Sequence, residues 1–338
     1  MPKVLTPKWL SRDNFRKLSY RKIVFSCLFL VFPLFFLFLH YKLETCNPML
    51  TFPCCKINLG LNIVETRPDG YHNIETVFYP VPLTDALEIK KMHEDFPSDT
   101  PCHLQVTFPK ESCDKALQQQ LAELPDDHNL VVRAYQLLAK DYRLPRIYAH
   151  LCKRIPSQAG LGGGSSDAAF MIRLLDERFR LNMGIAEMER YAAQLGADCA
   201  FFITAEPVFA TGIGEILEPA DGAKGNLHGY WLALVKPDIA VSTAEAYAAI
   251  TPRKPLKCCR DIVRQPIETW RNELTNDFEQ PVFDKYPVLA DIKADLYQRG
   301  ALYAQMSGSG STIYGLFRQQ PDDIPSAYPD CFTAVLKL

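Results

Sequence analysis

Residues 156–167 read Pro-Ser-Gln-Ala-Gly-Leu-Gly-Gly-Gly-Ser-Ser-Asp and run directly into an apolar-periodic segment over 168–179. Glycine lets a backbone approach an anion with no Cβ in the way. The free N–H groups and the positive dipole end of a following helix then face that anion. Residues 146–151 alternate like a strand and enter the loop through Lys153, Arg154 and Ile155. Strand, glycine loop and helix form a phosphate cradle, and a nucleotide phosphate is the expected ligand. A Walker A loop is excluded because no lysine follows Gly164, and the His-Arg-Asp and Asp-Phe-Gly triplets of protein kinases are absent. A plain glycine linker would not continue into Ala168, Met171, Ile172, Leu174 and Leu175 at helical spacing.

With 338 residues, the chain has room for two domains or one large one, and 48% hydrophobic residues give it material for their cores. A formal net charge of -2 shows no basic excess, so nucleic acid is not an expected partner. Eleven cysteines, two pairs of them adjacent, lack metal-like or disulfide-framework spacing and point to reduced thiols in the cytoplasm. The first 48 residues differ: a basic region precedes the uncharged run 23–39, which contains Pro33. We read 1–48 as an extension ahead of a natural start at Met49; the alternative is a membrane anchor through 23–39.

Residues 56–64 alternate polar and apolar and read as a half-buried strand. The turn Arg67-Pro68-Asp69-Gly70 returns it as a hairpin into 74–79, with Tyr71 and His72 at the tip. Residues 84–89 are expected to continue that sheet. A helix behind Asn129, a second over 185–195, a strand with a glycine bend over 209–217 and a new unit from residue 230 follow. Asp198 sits in a small and apolar stretch, where a carboxylate is paired, used in chemistry, or capping a helix. A boundary within 221–229 divides the chain into parts 49–225 and 226–338. In the second part an amphipathic helix over 287–300 feeds two strands, joined by Ser307, Gly308, Ser309, Gly310 and Ser311, small enough to let backbone approach a ligand.

Three stretches, Pro53-Cys54-Cys55-Lys56-Ile57-Asn58-Leu59, the loop from Pro156 to Ser166, and Ser307-Gly308-Ser309-Gly310, resemble in order and spacing the three motifs of the galactokinase, homoserine kinase, mevalonate kinase and phosphomevalonate kinase (GHMP) superfamily. The resemblance covers nearly everything after Met49. Arg67 to His72 and Leu195-Gly196-Ala197-Asp198 are similar to the branch that phosphorylates a methylerythritol carrying a cytidine diphosphate group, in the non-mevalonate route to isopentenyl diphosphate. It implies an α+β fold, with a ribosomal-protein-S5-like ATP-binding domain followed by a ferredoxin-like domain. It further implies ATP as phosphoryl donor with Mg2+, Lys56 and Asp198 as the catalytic pair, and ATP phosphates wrapped by Pro156, Ser157, Gln158, Ala159, Gly160, Leu161, Gly162, Gly163, Gly164, Ser165 and Ser166. Tyr71 and His72 would hold the cytosine, with Asn58 beside the erythritol portion. Magnesium would be held mainly by phosphates and water, with Ser166 or Asp167 as candidate helpers and no protein ligand assigned. Cys55 stands where the family usually has alanine, which raises the prospect of inhibition by thiol oxidation beside Lys56. The competing readings are a sibling kinase acting on homoserine, mevalonate or a sugar, and a nucleotide-binding sensor without chemistry.

Overall fold

The structure is a computed structural model and describes residues 49–109, 128–220, 222–223 and 227–338. Residues 1–48, with the apolar run 23–39, and part of the 221–229 segment lie outside the described residues. After a short β1 (Met49–Thr51) come the two longest strands, β2 (Cys54–Thr66) and β3 (His72–Thr84), paired antiparallel. Their turn has the chemistry read from the sequence: Tyr71 N–H donates to Asp69 Oδ1 at 3.1 Å, and Arg67 N–H donates to Tyr71 O at 2.8 Å.

The hairpin is not half buried, since every residue from 55 to 63 in β2 is covered. Strand side chains alternate between faces, and here both faces are used. Ile57 and Leu59 pack with Leu232, Leu234, Tyr303 and Tyr314 from the second half of the chain. The other face carries Lys56, Asn58, Thr76 and Phe78, all buried. Alternation alone reports which residues share a face, not whether that face meets water.

β4 (Ala86–Lys91) does not continue the hairpin's sheet. It pairs with β1 and β6 (Ile147–Cys152), and β6 in turn pairs in parallel with β5 (Cys102–Thr107), giving the order β1-β4-β6-β5. Asp85 marks the break: its Oδ1 accepts hydrogen bonds from Arg154 N–H and Ile155 N–H, drawing the chain out of register with β2. Helices α1 (Leu130–Leu138), α2 (Gly163–Phe179) and α3 (Ile185–Ala193) follow, with Asn129 capping α1 through a 2.9 Å bond from Val131 N–H. Val131, Ala134 and Leu138 of α1 and Ala168, Met171 and Leu175 of α2 share one core with Leu87, Ile89 and Leu151. A short α4 (Phe201–Thr204) leads to β7 (Val208–Thr211) and β8 (Ile216–Pro219), which complete a sheet in the order β2-β3-β7-β8. The single bent strand expected over 209–217 is thus two, reversed at residues 212–215, where Glu215 Oε2 accepts from Ile213 N–H at 2.6 Å.

The remaining elements are β9 (Trp231–Lys236), α5 (Thr243–Ala248), α6 (Cys259–Ile262), α7 (Trp270–Glu273), α8 (Glu279–Lys285), α9 (Pro287–Gln298), β10 (Tyr303–Met306), β11 (Ile313–Phe317), α10 (Ile324–Ala327) and β12 (Phe332–Lys337). Their antiparallel sheet has the order β10-β11-β9-β12, and the major helix α9 and the small α10 connect the strands as a ferredoxin-like split pattern requires. The α+β expectation therefore holds. Among the described residues no helix is long and apolar enough to cross a membrane.

Candidate active site

Lys56 and Asn58 are two residues apart on β2 and so point the same way. The Lys56 ammonium donates to Asn58 Oδ1 at 2.6 Å, stands 4.8 Å from the centroid of the Phe78 ring, and meets Asp198 Oδ2 at 3.4 Å. Burying an ammonium costs several kcal/mol, roughly, and a cation–π contact returns only about 0.5–2 kcal/mol. Asp198 and the Asn58 carbonyl are therefore needed to hold the charge there. The Asp198 side chain keeps 32% of its surface exposed, against 4% for Lys56, so the pair has one buried and one open member. An open carboxylate beside a fixed cation can receive a proton from a ligand hydroxyl.

The glycine loop lies directly against this pair. Lys56 N–H donates to Leu161 O at 3.0 Å, and a Cβ on Gly162 would come within 3.2 Å of Lys56 Cγ and 2.9 Å of the Phe202 ring. α2 then begins at Gly163, with its free N–H groups at the loop's end. The loop from β10 to β11 docks on top: Ser307 Oγ donates to Gly160 O at 2.8 Å, and Thr312 N–H donates to Ala159 O at 3.3 Å. Gly308 also faces Gly160, whose Cα a Gly308 Cβ would approach to 3.3 Å. Ser309 Oγ lies 2.9 Å from Thr243 Oγ1 at the start of α5. Lys56, Asn58, Asp198, Gly160, Gly162 and Ser307 thus form one site.

Asn58 is engaged on both sides, accepting from Lys56 and donating to Thr76 Oγ1 at 2.9 Å. Its first task is to orient the ammonium. At the hairpin tip Tyr71 is 60% exposed. His72 instead stacks on Tyr247 of α5 at 5.1 Å and 21°, and Tyr247 packs edge-on against Phe278 at 4.8 Å. Burial, reinforced by the charge of Asp198, pushes the Tyr247 hydroxyl up to about 12. It therefore stays protonated, a neutral hydrogen-bonding group near the Asp198 carboxylate.

Cys55 does not fulfil the oxidation expectation. It is wholly buried, and burial pushes its thiol well above the ordinary range. The thiolate needed for attack is suppressed, so the residue is inert packing beside Lys56.

Several participants left no local signal in the sequence. Tyr247 is one aromatic on a short helix, distant in the chain from the hairpin it touches. Asn276 donates to both Met306 O and Gly308 O at 2.8 Å and braces the β10–β11 loop. Lys153 is buried between Asp85 and Asp167, bonding Asp167 Oδ2 at 2.7 Å and also Asp85 Oδ2. Ser166 Oγ and Asp167 Oδ1 are buried without a hydrogen-bond partner. Among the described residues no group of three or more His, Cys, Asp or Glu could hold a metal ion.

The chain matches the GHMP kinases N terminal domain over residues 129–206 and the GHMP kinases C terminal domain over 260–333. It is 49% identical over 296 residues to the 4-diphosphocytidyl-2-C-methyl-D-erythritol kinase of Bacteroides fragilis, a match covering 86% of this chain and 100% of the relative. To the protein of that name from Cytophaga hutchinsonii it is 43% identical, over 81% of this chain and 94% of the relative. A crystal structure of 4-(cytidine 5'-diphospho)-2C-methyl-D-erythritol kinase superposes with a TM-score of 0.67 at 27% identity, covering 86% of this chain and 100% of the other. The mevalonate kinase of Methanococcus jannaschii shares the fold, with a TM-score of 0.61 at 13% identity over 86% of this chain and 99% of its own.

Proposed function

Because this chain belongs to the 4-diphosphocytidyl-2-C-methyl-D-erythritol kinase family of GHMP kinases, we propose that it transfers the terminal phosphoryl group of ATP to the 2-hydroxyl of 4-diphosphocytidyl-2-C-methyl-D-erythritol. The observation that carries this reading is the Lys56–Asp198 pair, 3.4 Å apart and set against a phosphate-type glycine loop through the bond from Lys56 N–H to Leu161 O. Asp198 accepts the hydroxyl proton at a carboxylate oxygen as that hydroxyl attacks phosphorus. Lys56, fixed by Asn58, balances charge that builds on the transferred group, while the backbone N–H groups of the glycine loop hold the phosphates in line. These groups act by position, which suits a loose transition state.

His72 and Tyr71 account for the cytidine. The His72 ring is oriented by its stack on Tyr247, and Tyr71 offers an exposed aromatic face to a base. Tyr71→Ala should raise the KM of the cytidylyl alcohol about tenfold and leave the KM of ATP within about twofold. Steady-state titration of each substrate checks this; an equal effect on both would remove the base-stacking assignment. A sibling kinase for mevalonate, homoserine or a sugar would have no use for that contact.

Magnesium fits the site at one point. The buried, unpartnered Ser166 hydroxyl is a hard oxygen donor just inside α2, and phosphates and water would complete an octahedral shell. When bound, the ion would neutralise phosphate charge.

A coupled ADP-release assay with 4-diphosphocytidyl-2-C-methyl-D-erythritol beside mevalonate, homoserine and galactose tests the function. Turnover on the cytidylyl alcohol alone is the expected result; turnover on another alcohol, or on none, would overturn it. Lys56→Met should keep the fold, since an apolar chain of similar length suits that buried position, and lower kcat on the order of a hundredfold. A change in ATP KM alone would make Lys56 a binding group.

A further inference from the structure

The proposed mechanism leaves one group of buried charges unused. Lys153 follows the end of β6, just before the glycine loop begins, and Asp167 lies within α2, just after the loop ends. One ammonium joins them. It donates to Asp167 Oδ2 at 2.7 Å and also to Asp85 Oδ2, whose other oxygen accepts from Arg154 N–H and Ile155 N–H. The relative exposures of Lys153, Asp85 and Asp167 are 9%, 0% and 3%. A Cβ on Gly163 would lie 3.4 Å from the Lys153 nitrogen, so the cation sits directly against the first residue of α2.

Such a group is an expensive way to stabilise a core, since buried ion pairs often do no better than apolar packing. Its placement carries the meaning. Asp85 fixes the backbone entering the loop, Asp167 fixes the helix leaving it, and Lys153 sets the separation of the two. Burial alone would lower the Lys153 ammonium's proton affinity, but Asp167 and Asp85 outweigh it and the affinity rises, while the same burial pushes the Asp167 carboxyl up to about 8. Resting on the reading of this site as an ATP site, we propose that Lys153, held between Asp85 and Asp167, is a positioning group that holds the stems of the 156–162 loop at the spacing a nucleoside triphosphate requires. None of the three touches the nucleotide in this account. They act through the loop.

The test uses Asp167, because Asp167→Ala leaves Lys153 paired with Asp85 and avoids an uncompensated buried cation. Binding of the ATP analogue AMP-PNP is measured by calorimetry with magnesium, beside the KM of the cytidylyl alcohol and the melting temperature. Asp167→Ala should weaken AMP-PNP about tenfold while the KM of the alcohol stays within about twofold. Asp167→Asn, which keeps an oxygen for the ammonium, should restore AMP-PNP affinity to within about threefold of the parent. Three results would overturn the proposal: unchanged AMP-PNP affinity in Asp167→Ala, equal loss for both substrates, or an Asp167→Asn variant as weak as Asp167→Ala. The last would point to a need for the negative charge itself. Failure of the parent protein to bind AMP-PNP would instead sink the ATP reading.

Discussion

Asp198→Asn should fold almost as the parent does and lose kcat on the order of a hundredfold or more, with both KM values little changed. The asymmetry of the pair explains the separation of stability from activity. Removing one member of a fully buried pair costs about 3–5 kcal/mol. Asp198, however, is one-third exposed and sits 3.4 Å from the ammonium, while Asn58 bonds the same ammonium at 2.6 Å. The stability effect should therefore stay near the surface-pair range, about 1 kcal/mol or less. An asparagine carbonyl can still accept a bond from Lys56. It cannot take a proton from an attacking hydroxyl. Near-normal kcat in a single-turnover measurement would remove Asp198 as the base.

Gly160→Ala should be the most damaging single methyl in the loop. Gly160 has φ +72°, and its added Cβ would fall 2.0 Å from the Ser307 carbonyl oxygen and 2.9 Å from the carbonyl carbon. Both are backbone atoms and cannot swing aside. The left-handed conformation adds about 1–2 kcal/mol for a residue with a Cβ. Relief requires the two loops to part, breaking the bond from Ser307 Oγ to Gly160 O. We expect the KM of ATP to rise more than tenfold and the melting temperature to fall by about 5 °C. By contrast Gly164→Ala, whose Cβ would meet only Leu130 Cδ1 at 3.8 Å, should change the melting temperature by less than about 2 °C. A benign Gly160→Ala would mean that the loops separate readily in solution.

What could be read from the sequence was local. The hairpin turn, the Asn129 cap and the passage from glycine loop into α2 depend on residues within a few positions of one another, and all are found. Burial of the hairpin's second face was not legible, because it depends on packing against both the helical layer and the β9–β11 strands. Residues 84–89 had strand character, yet which sheet they joined was decided by Asp85 and backbone groups far along the chain. Asp85 and Lys153 resemble ordinary polar ends of strands until they are seen together with Asp167. Tyr247 shows no periodic or motif signal, and only the folded chain brings it to His72. Cys55 was misread for the same reason: its neighbour in sequence is Lys56, but its own side chain points to the opposite, sealed face.

The contact between Gly160 and Ser307 also bears on how the protein matures. Half of the cradle is made early in synthesis, but the part that closes over it lies between β10 and β11, near the carboxyl end. A chain emerging from the ribosome completes residues 156–167 long before Ser307 exists. During that interval the bonds from Ser307 Oγ to Gly160 O and from Thr312 N–H to Ala159 O cannot form, so the loop lacks two of the contacts that hold it in the folded chain. A chain lacking β10 and β11 is therefore expected to bind nucleotide more weakly than the whole protein, a difference that AMP-PNP calorimetry on the two would read.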